Sequence, residues 1–235
     1  MDMQPTRMTN GLLDRLSTAD RTLLEPSLST VPLSFHDKLE RTGERLEHAY
    51  FVTSGMVSII AAAKDCQVEV GMVGYEGMVG LGIVLGVDRS SNDSIVQSQG
   101  QAVRIAAHDL HAAMDQSASL RALLLRYVQA FNVQASQTAL ANGLGKIEER
   151  LARWILMWSD RLRSDVLPIT HEFLALLLGI RRPSATVALH ILEGKQLIRS
   201  MRGAVQVLDR SGLEQTAQGF YGVPEEQYDR IMRAA

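Results

Sequence analysis

The stretch LLLGIRRPSATVALHIL, Leu176–Leu192, breaks an apolar run with Gly-Ile-Arg-Arg-Pro-Ser and then resumes it on a helical period. That break constrains the fold more than any other feature of the chain, because it forces two helices to meet at a tight corner. Gly179 suits the corner, since a residue without Cβ enters the left-handed region at no steric cost. Pro183 suits a first helical turn, where its missing N–H has no intrahelical role. Beyond it, Ala185, Ala188, Leu189 and Leu192 repeat at helical spacing and should face a core. Arg182, Pro183, Thr186, Val187 and His190 are left on the outer face.

The surroundings of the corner fix its type. KIEERLARWILMWSDRL reads as an amphipathic helix, with Trp154 and Trp158 one turn apart as core residues. After the corner, LIRS and AVQVLD form two short β runs joined through Met201-Arg202-Gly203. Helix, helix, turn, helix, hairpin is the order of a winged helix-turn-helix. Arg181 and Arg182 then sit where a guanidinium reaches a phosphate or pairs with O6 and N7 of guanine. Ser184 and Thr170, near two helix starts, are candidate phosphate donors, and Arg199 and Arg202 are candidate wing contacts to the sugar-phosphate backbone. Val187 is placed to touch a thymine methyl, with Thr186 and His190 as polar readers. The tail VPEEQYDRIMRAA reads as a peripheral helix of unassigned role.

The first half of the chain follows a different period. Leu12, Leu13, Leu16, Leu23 and Leu24 suggest short amphipathic helices before Pro26 and Pro32. From Val31 to Ile105 come β-rich runs separated by glycines: AYFVTSG, MVSIIAAA, QVEVGMVG, SIVQSQ and QAVRIAA, the pattern of a small barrel or roll. Residues 117–142 contain no Gly or Pro and read as one long helix, with Leu120, Leu124, Tyr127 and Phe131 on an apolar stripe. Leu123, Leu125 and Val128 widen that stripe, so the helix should pack on its own roll and on a second chain. Gly143 and Gly145 mark a hinge. The expected division is 1–116 as a β-roll sensor, 117–144 as dimerisation helix and hinge, and 145–235 as the DNA-binding domain. The fold class is therefore α+β.

Charge and composition agree with this division. The net charge is -2, but the first 110 residues carry more acids than bases and the remainder more bases than acids. An anionic partner thus fits the second half. Cys66 is the only cysteine, which excludes an intrachain disulfide and a thiolate cluster and fits a cytoplasmic protein. No window is apolar enough to span a membrane, and the start MDMQPTRMTNGLLDRL carries no apolar leader. His108 and His111 are three apart without a third ligand, and His36 and His48 are isolated, so neither a metal site nor a catalytic constellation is expected. Gly80, Gly82 and Gly86 loosely imitate a dinucleotide loop, but glycines at 71, 74, 77 and 80 suit turns of a roll better. No cofactor and no enzymatic activity are expected.

The segment THEFLALLLGIRRPSATVALHILEGKQLIRSMRGAVQVLD, together with YFVTSGMVSII and VGMVGYEGMVG, resembles the Crp/Fnr family of transcription regulators over about residues 10–213. The resemblance implies a homodimer with an N-terminal cyclic-nucleotide-binding-like jelly roll, a long dimerisation helix and a C-terminal winged helix. It implies double-stranded DNA as partner, admits RNA polymerase as a further one, and leaves a small-molecule effector unidentified. It places the family's strongest base-reading arginine on Arg182, an acidic reader on Pro183 and a second arginine on Val187. Neither Pro183 nor Val187 makes the family's hydrogen bonds, so its best-known half-site does not carry over. In the corresponding effector pocket, Gly80, Leu81, Gly82, Arg89, Ser90 and Ser91, Leu81 replaces the ribose-binding Glu and Arg89 falls two residues before the phosphate-binding position. Weak or no binding of cyclic AMP is the expectation. The alternative reading is a ligand sensor acting through a protein partner without DNA.

Overall fold

The computed structural model describes residues 9–64 and 66–233. The first eight residues of the start read for a leader, and Asp65 of the Lys64–Gln67 turn, lie outside the described residues. After a 3-10 turn at Leu13–Arg15, helix α1 (Thr18–Leu24) leads into strands β1 (Ser29–Leu33), β2 (Lys38–Glu40), β3 (His48–Ala63), β4 (Cys66–Val73) and β5 (Met78–Val79). A four-residue helix α2 (Leu81–Val84) and strand β6 (Asp93–Ala106) complete the roll. All its pairings are antiparallel: β1, β6, β3 and β4 lie in that order, with β2 on β6 and β5 on β3.

The five expected β runs are three strands at the roll's centre. AYFVTSG and MVSIIAAA form the single strand β3, and SIVQSQ and QAVRIAA form β6. Gly55 does not turn the chain; it bends a continuous strand at φ 82° where the β3–β6 register shifts. A Cβ on Gly100 would lie 2.1 Å from the Ser54 carbonyl oxygen, so the two strands cross at their glycines. Such bulges coil a sheet without ending it.

Helices α3 (Ala107–Gln116) and α4 (Ala118–Leu144) follow, the latter matching the long helix expected. Ser117 caps α4 by accepting from Leu120 N–H at 3.1 Å and also donates to Asp20, tying the helix start to α1. Helix α4 runs through Gly143 and ends at Gly145, whose φ of -77° is ordinary. The expected dimer contacts are corrected here. Leu120, Leu124 and Tyr127 are buried in their own roll with Phe51, Met78 and Ile105, and Phe131 packs on the roll's other cluster. Large side chains on this helix seek the nearer core, that of the sheet they follow. Gln134 joins them by closing a two-way bond with Met72 N–H and C=O, at 2.7 and 3.2 Å.

The C-terminal part comprises α5 (Ile147–Leu162), β7 (Val166–Leu167), α6 (His171–Leu177), α7 (Arg182–Gly194), β8 (Ile198–Met201), β9 (Ala204–Val207) and α8 (Arg210–Thr216). Trp154 and Trp158 meet edge to face at 4.2 Å in its core. This core continues into the roll through Met56, Ile60 and Met72. The tail helix α9 (Val223–Arg233) returns to the N-terminal part: Met232 is buried beside Leu12 and Leu24, and Tyr228 donates to the Glu76 carbonyl at 2.6 Å. A cavity of about 490 Å³ lies among α4, α5, α9 and the turn holding Tyr75 and Glu76.

Candidate nucleic-acid interface

Helix α6 begins at Thr170, whose hydroxyl accepts from Phe173 N–H at 3.3 Å, and ends near Gly179 at φ 61°. Three residues later α7 starts, with Arg181 as N-cap and Pro183 in its first turn, as the sequence suggested. Ala185, Ala188, Leu189 and Leu192 are buried. Burial of that face fixes the opposite one outward: Arg181, Arg182, Pro183 and His190 are exposed, and Val187 is 57% exposed. Val187 lies one turn before Ile191, which is 39% exposed, so the outer face of α7 carries a small apolar surface.

Two of the candidate contacts, the reader Thr186 and the phosphate donor Ser184, sit less openly. Thr186 is half-buried and its hydroxyl donates to the Arg182 carbonyl at 3.2 Å, and Ser184 is half-buried beside it. Behind the helices, β7, β9 and β8 form a three-stranded antiparallel sheet in that order. Its outer hairpin turns at Gly203, φ 73°, and carries exposed Arg199 and Arg202. The arrangement presents a helix N-terminus with two guanidinium groups and a basic wing, which is what a duplex needs for groove entry and backbone contact.

Sequence reasoning missed the residue that fixes this geometry. Arg150 on α5 donates through Nε to Asn142 Oδ1 at 3.0 Å and through Nη2 to the Leu178 carbonyl, bracketing the end of α4 to the end of α6. The i, i+8 spacing to Asn142 is legible in a sequence, but the Leu178 contact is set only by the fold.

Residues 149–216 match the model of the Crp-like helix-turn-helix domain. The chain carries a Crp-like helix-turn-helix domain. Three solved structures share the fold over most of the chain. One is a protein from Eubacterium rectale described as a transcriptional regulator of the Crp/Fnr family: 18% identity, 88% of this chain, 98% of that one, TM-score 0.67. The c-di-GMP-responsive global regulator CLP of Xanthomonas campestris is 19% identical over 81% of this chain and 99% of its own, with a TM-score of 0.67. FixK2 of Bradyrhizobium japonicum is 14% identical over 80% and 96%, with a TM-score of 0.70. No curated protein matches the chain by sequence. The roll, long helix and winged helix are thus a Crp/Fnr-type fold, and the domain match supports a DNA-binding transcription regulator.

The six expected effector-pocket residues, Gly80, Leu81, Gly82, Arg89, Ser90 and Ser91, line one cavity of about 200 Å³ in the roll. Two features of it bear on charge. Arg89 Nη1 donates to the Gly43 carbonyl at 2.8 Å. Glu40, which the sequence did not single out, also lines the cavity; burial pushes its carboxyl up, against the bond donated by Ser94. An acid with an engaged arginine is a poor counterpart for a phosphate diester.

Elsewhere, His108 is exposed beside Asp109, and His111 Nε2 lies 2.7 Å from the Ile83 carbonyl. Among the described residues no group of three His, Cys, Asp or Glu is placed to hold a metal ion. No described helix is long and apolar enough to cross a membrane.

Proposed function

We propose that the protein is a cytoplasmic, homodimeric transcription regulator that reads an inverted-repeat operator. The observation that carries this is the exposed start of α7, where Arg181 and Arg182 flank the helix N-terminus beside the open Val187. Arg182 reads guanine, Val187 takes a thymine methyl, His190 adds a polar contact, and Arg181, Ser184, Thr170, Arg199 and Arg202 hold phosphates. RNA polymerase is the further protein partner of a regulator of this kind, and the role is not enzymatic.

The second copy is accommodated by the outer face of α4. From Ala118, steps of four and three reach Ala122, Leu125, Gln129, Asn132, Ser136, Ala139 and Gly143, and every one of these is exposed. Alternating steps of four and three are the heptad seam of a two-stranded coiled coil, and small residues along it allow close approach of the backbones. A parallel pair sets the two reading helices about a two-fold axis, roughly 34 Å apart along the DNA.

In the roll, the 200 Å³ cavity with Leu81 and Glu40 suits an effector smaller and less polar than a cyclic nucleotide. The test is selection of bound duplexes from a random pool by the purified protein at two salt concentrations. An enriched inverted repeat, unchanged by added cyclic AMP and weakening steeply with salt, is expected. Failure to enrich any sequence, with and without cell extract as an effector source, would remove the reading.

A further inference from the structure

The contact between roll and reading domain has a carboxyl group at its centre. Glu69 on β4 is 5% exposed, and both of its oxygens are occupied. Ser58 on β3, itself fully buried, donates its hydroxyl to Oε2. Trp154 on α5 donates Nε1–H to Oε1 at 2.8 Å. One carboxyl thus joins a strand of the roll to the first helix of the DNA-binding part, across 85 residues of sequence.

The charged groups that bear on Glu69 come from α5 and are themselves engaged. Arg161 lies 2.9 Å from Glu76, and Arg153 donates to the Phe220 carbonyl at 2.9 Å and to Thr138 at 3.2 Å. From the roll side Glu69 faces a hydroxyl; around it Met56, Ile60 and Met72 share an apolar core with Leu151, Trp154 and Ile155, and farther along α5 the contact continues through the Arg161–Glu76 ion pair and Arg163 over the Tyr75 ring. The same strand also meets the helix-turn-helix corner, for a Cβ on Gly179 would lie 3.4 Å from Val68. A group at this place touches both α5 and the strand on which the corner rests.

We propose that Glu69 is a proton-operated latch between roll and reading domain: neutral, it holds the two docked, and ionised, it favours their separation. A neutral carboxyl keeps both bonds, because its carbonyl oxygen accepts from Trp154 and its hydroxyl and the Ser58 hydroxyl exchange roles as donor and acceptor. An ionised one has two donors but, among the described residues, no adjacent unengaged cation, in a core from which water is excluded. Separation returns it to solvent.

The direction follows from linkage. Burial pushes the docked carboxyl up to about 7, opposed by the bonds from Ser58 and Trp154 and by Arg161 and Arg153. Exposed, it returns to the ordinary value near 4.5. The docked form therefore binds the proton more tightly, so docking is fully supported below about pH 4.5 and is lost as pH rises through about 7. The docking equilibrium should fall on the order of a few hundred-fold across that window, at tenfold per pH unit.

The chain supplies its own reporters. Its only tryptophans, Trp154 and Trp158, lie on α5, and its only cysteine, Cys66, is exposed at the start of β4. An energy-transfer acceptor on Cys66 of the full-length protein, read as donor lifetime with and without acceptor from pH 5 to 9, reports their separation. Transfer should fall as pH rises toward about 7 and level off above it in the wild type, and remain high throughout in Glu69→Gln. A flat wild-type profile, or the same titration in Glu69→Gln, overturns the latch. Should Glu69→Gln fail to fold by circular dichroism, Ser58→Ala decides: losing a donor to the carboxylate disfavours the docked ionised form, so transfer at pH 7 and above must drop below that of the wild type, and an unchanged profile rejects the proposal.

Discussion

Arg182 stands at the first residue of α7 with its side chain in solvent, while the turn before it is held by Gly179 at φ 61°. Arg182→Ala should weaken binding to the selected operator by about 1–3 kcal/mol and relax one base position per half-site, measured by competition with single-base operator variants. A uniform loss over all variants would instead make it a phosphate contact. This residue was legible because Gly179, Pro183 and the apolar period of α7 act within one turn of it. Glu69, Glu40 and Arg150 were not, since each takes its meaning from a partner far along the chain: Trp154, Ser94 and the Leu178 carbonyl. The sequence also treated Thr186 as an outward reader, whereas its hydroxyl is turned back to the Arg182 carbonyl.

Elements rather than residues determine how that helix is aimed. Arg150 ties the last turn of α4 to the end of α6 through Asn142 and the Leu178 carbonyl. Arg150→Ala leaves that carbonyl, at the helix-turn-helix corner, without its charged donor, a loss of roughly 1–3 kcal/mol. We expect operator affinity to fall by about that amount, while the binding at low salt to random duplex, which needs only charge, changes little. Arg150→Lys should recover only part of it, because one ammonium cannot span both acceptors as a guanidinium does. Filter binding to operator and to random duplex separates the two terms. At this scale the long helix, the two tryptophans in the core and the winged order were readable from period alone. The strands were readable in composition but not in number, because a glycine that bends β3 or β6 looks in sequence like one that ends a strand.

The whole molecule depends on which face of α4 serves which core. Sequence pattern points to the large residues, and the structure spends Leu120, Leu124 and Tyr127 on the roll, leaving a seam of Ala, Ser, Asn, Gln and Gly with Leu125 as its one large side chain. Small and polar residues carry little weight in a search for hydrophobic periodicity, so this seam is found only once the other face is known to be filled. The two faces make different predictions. Leu125→Glu sets two carboxylates against each other across the two-fold axis, so sedimentation equilibrium should report a monomer whose thermal unfolding is close to that of the wild type roll. Leu120→Ala removes a fully buried side chain from the roll and should cost about 2–5 kcal/mol of folding stability while leaving the seam intact. The Leu125→Glu monomer should still bind a single half-site through α7 and lose the preference for half-sites spaced one helical turn apart. A variant that remained dimeric with that spacing preference unchanged would move the dimer contact off this face of α4 and with it the geometry inferred for the operator.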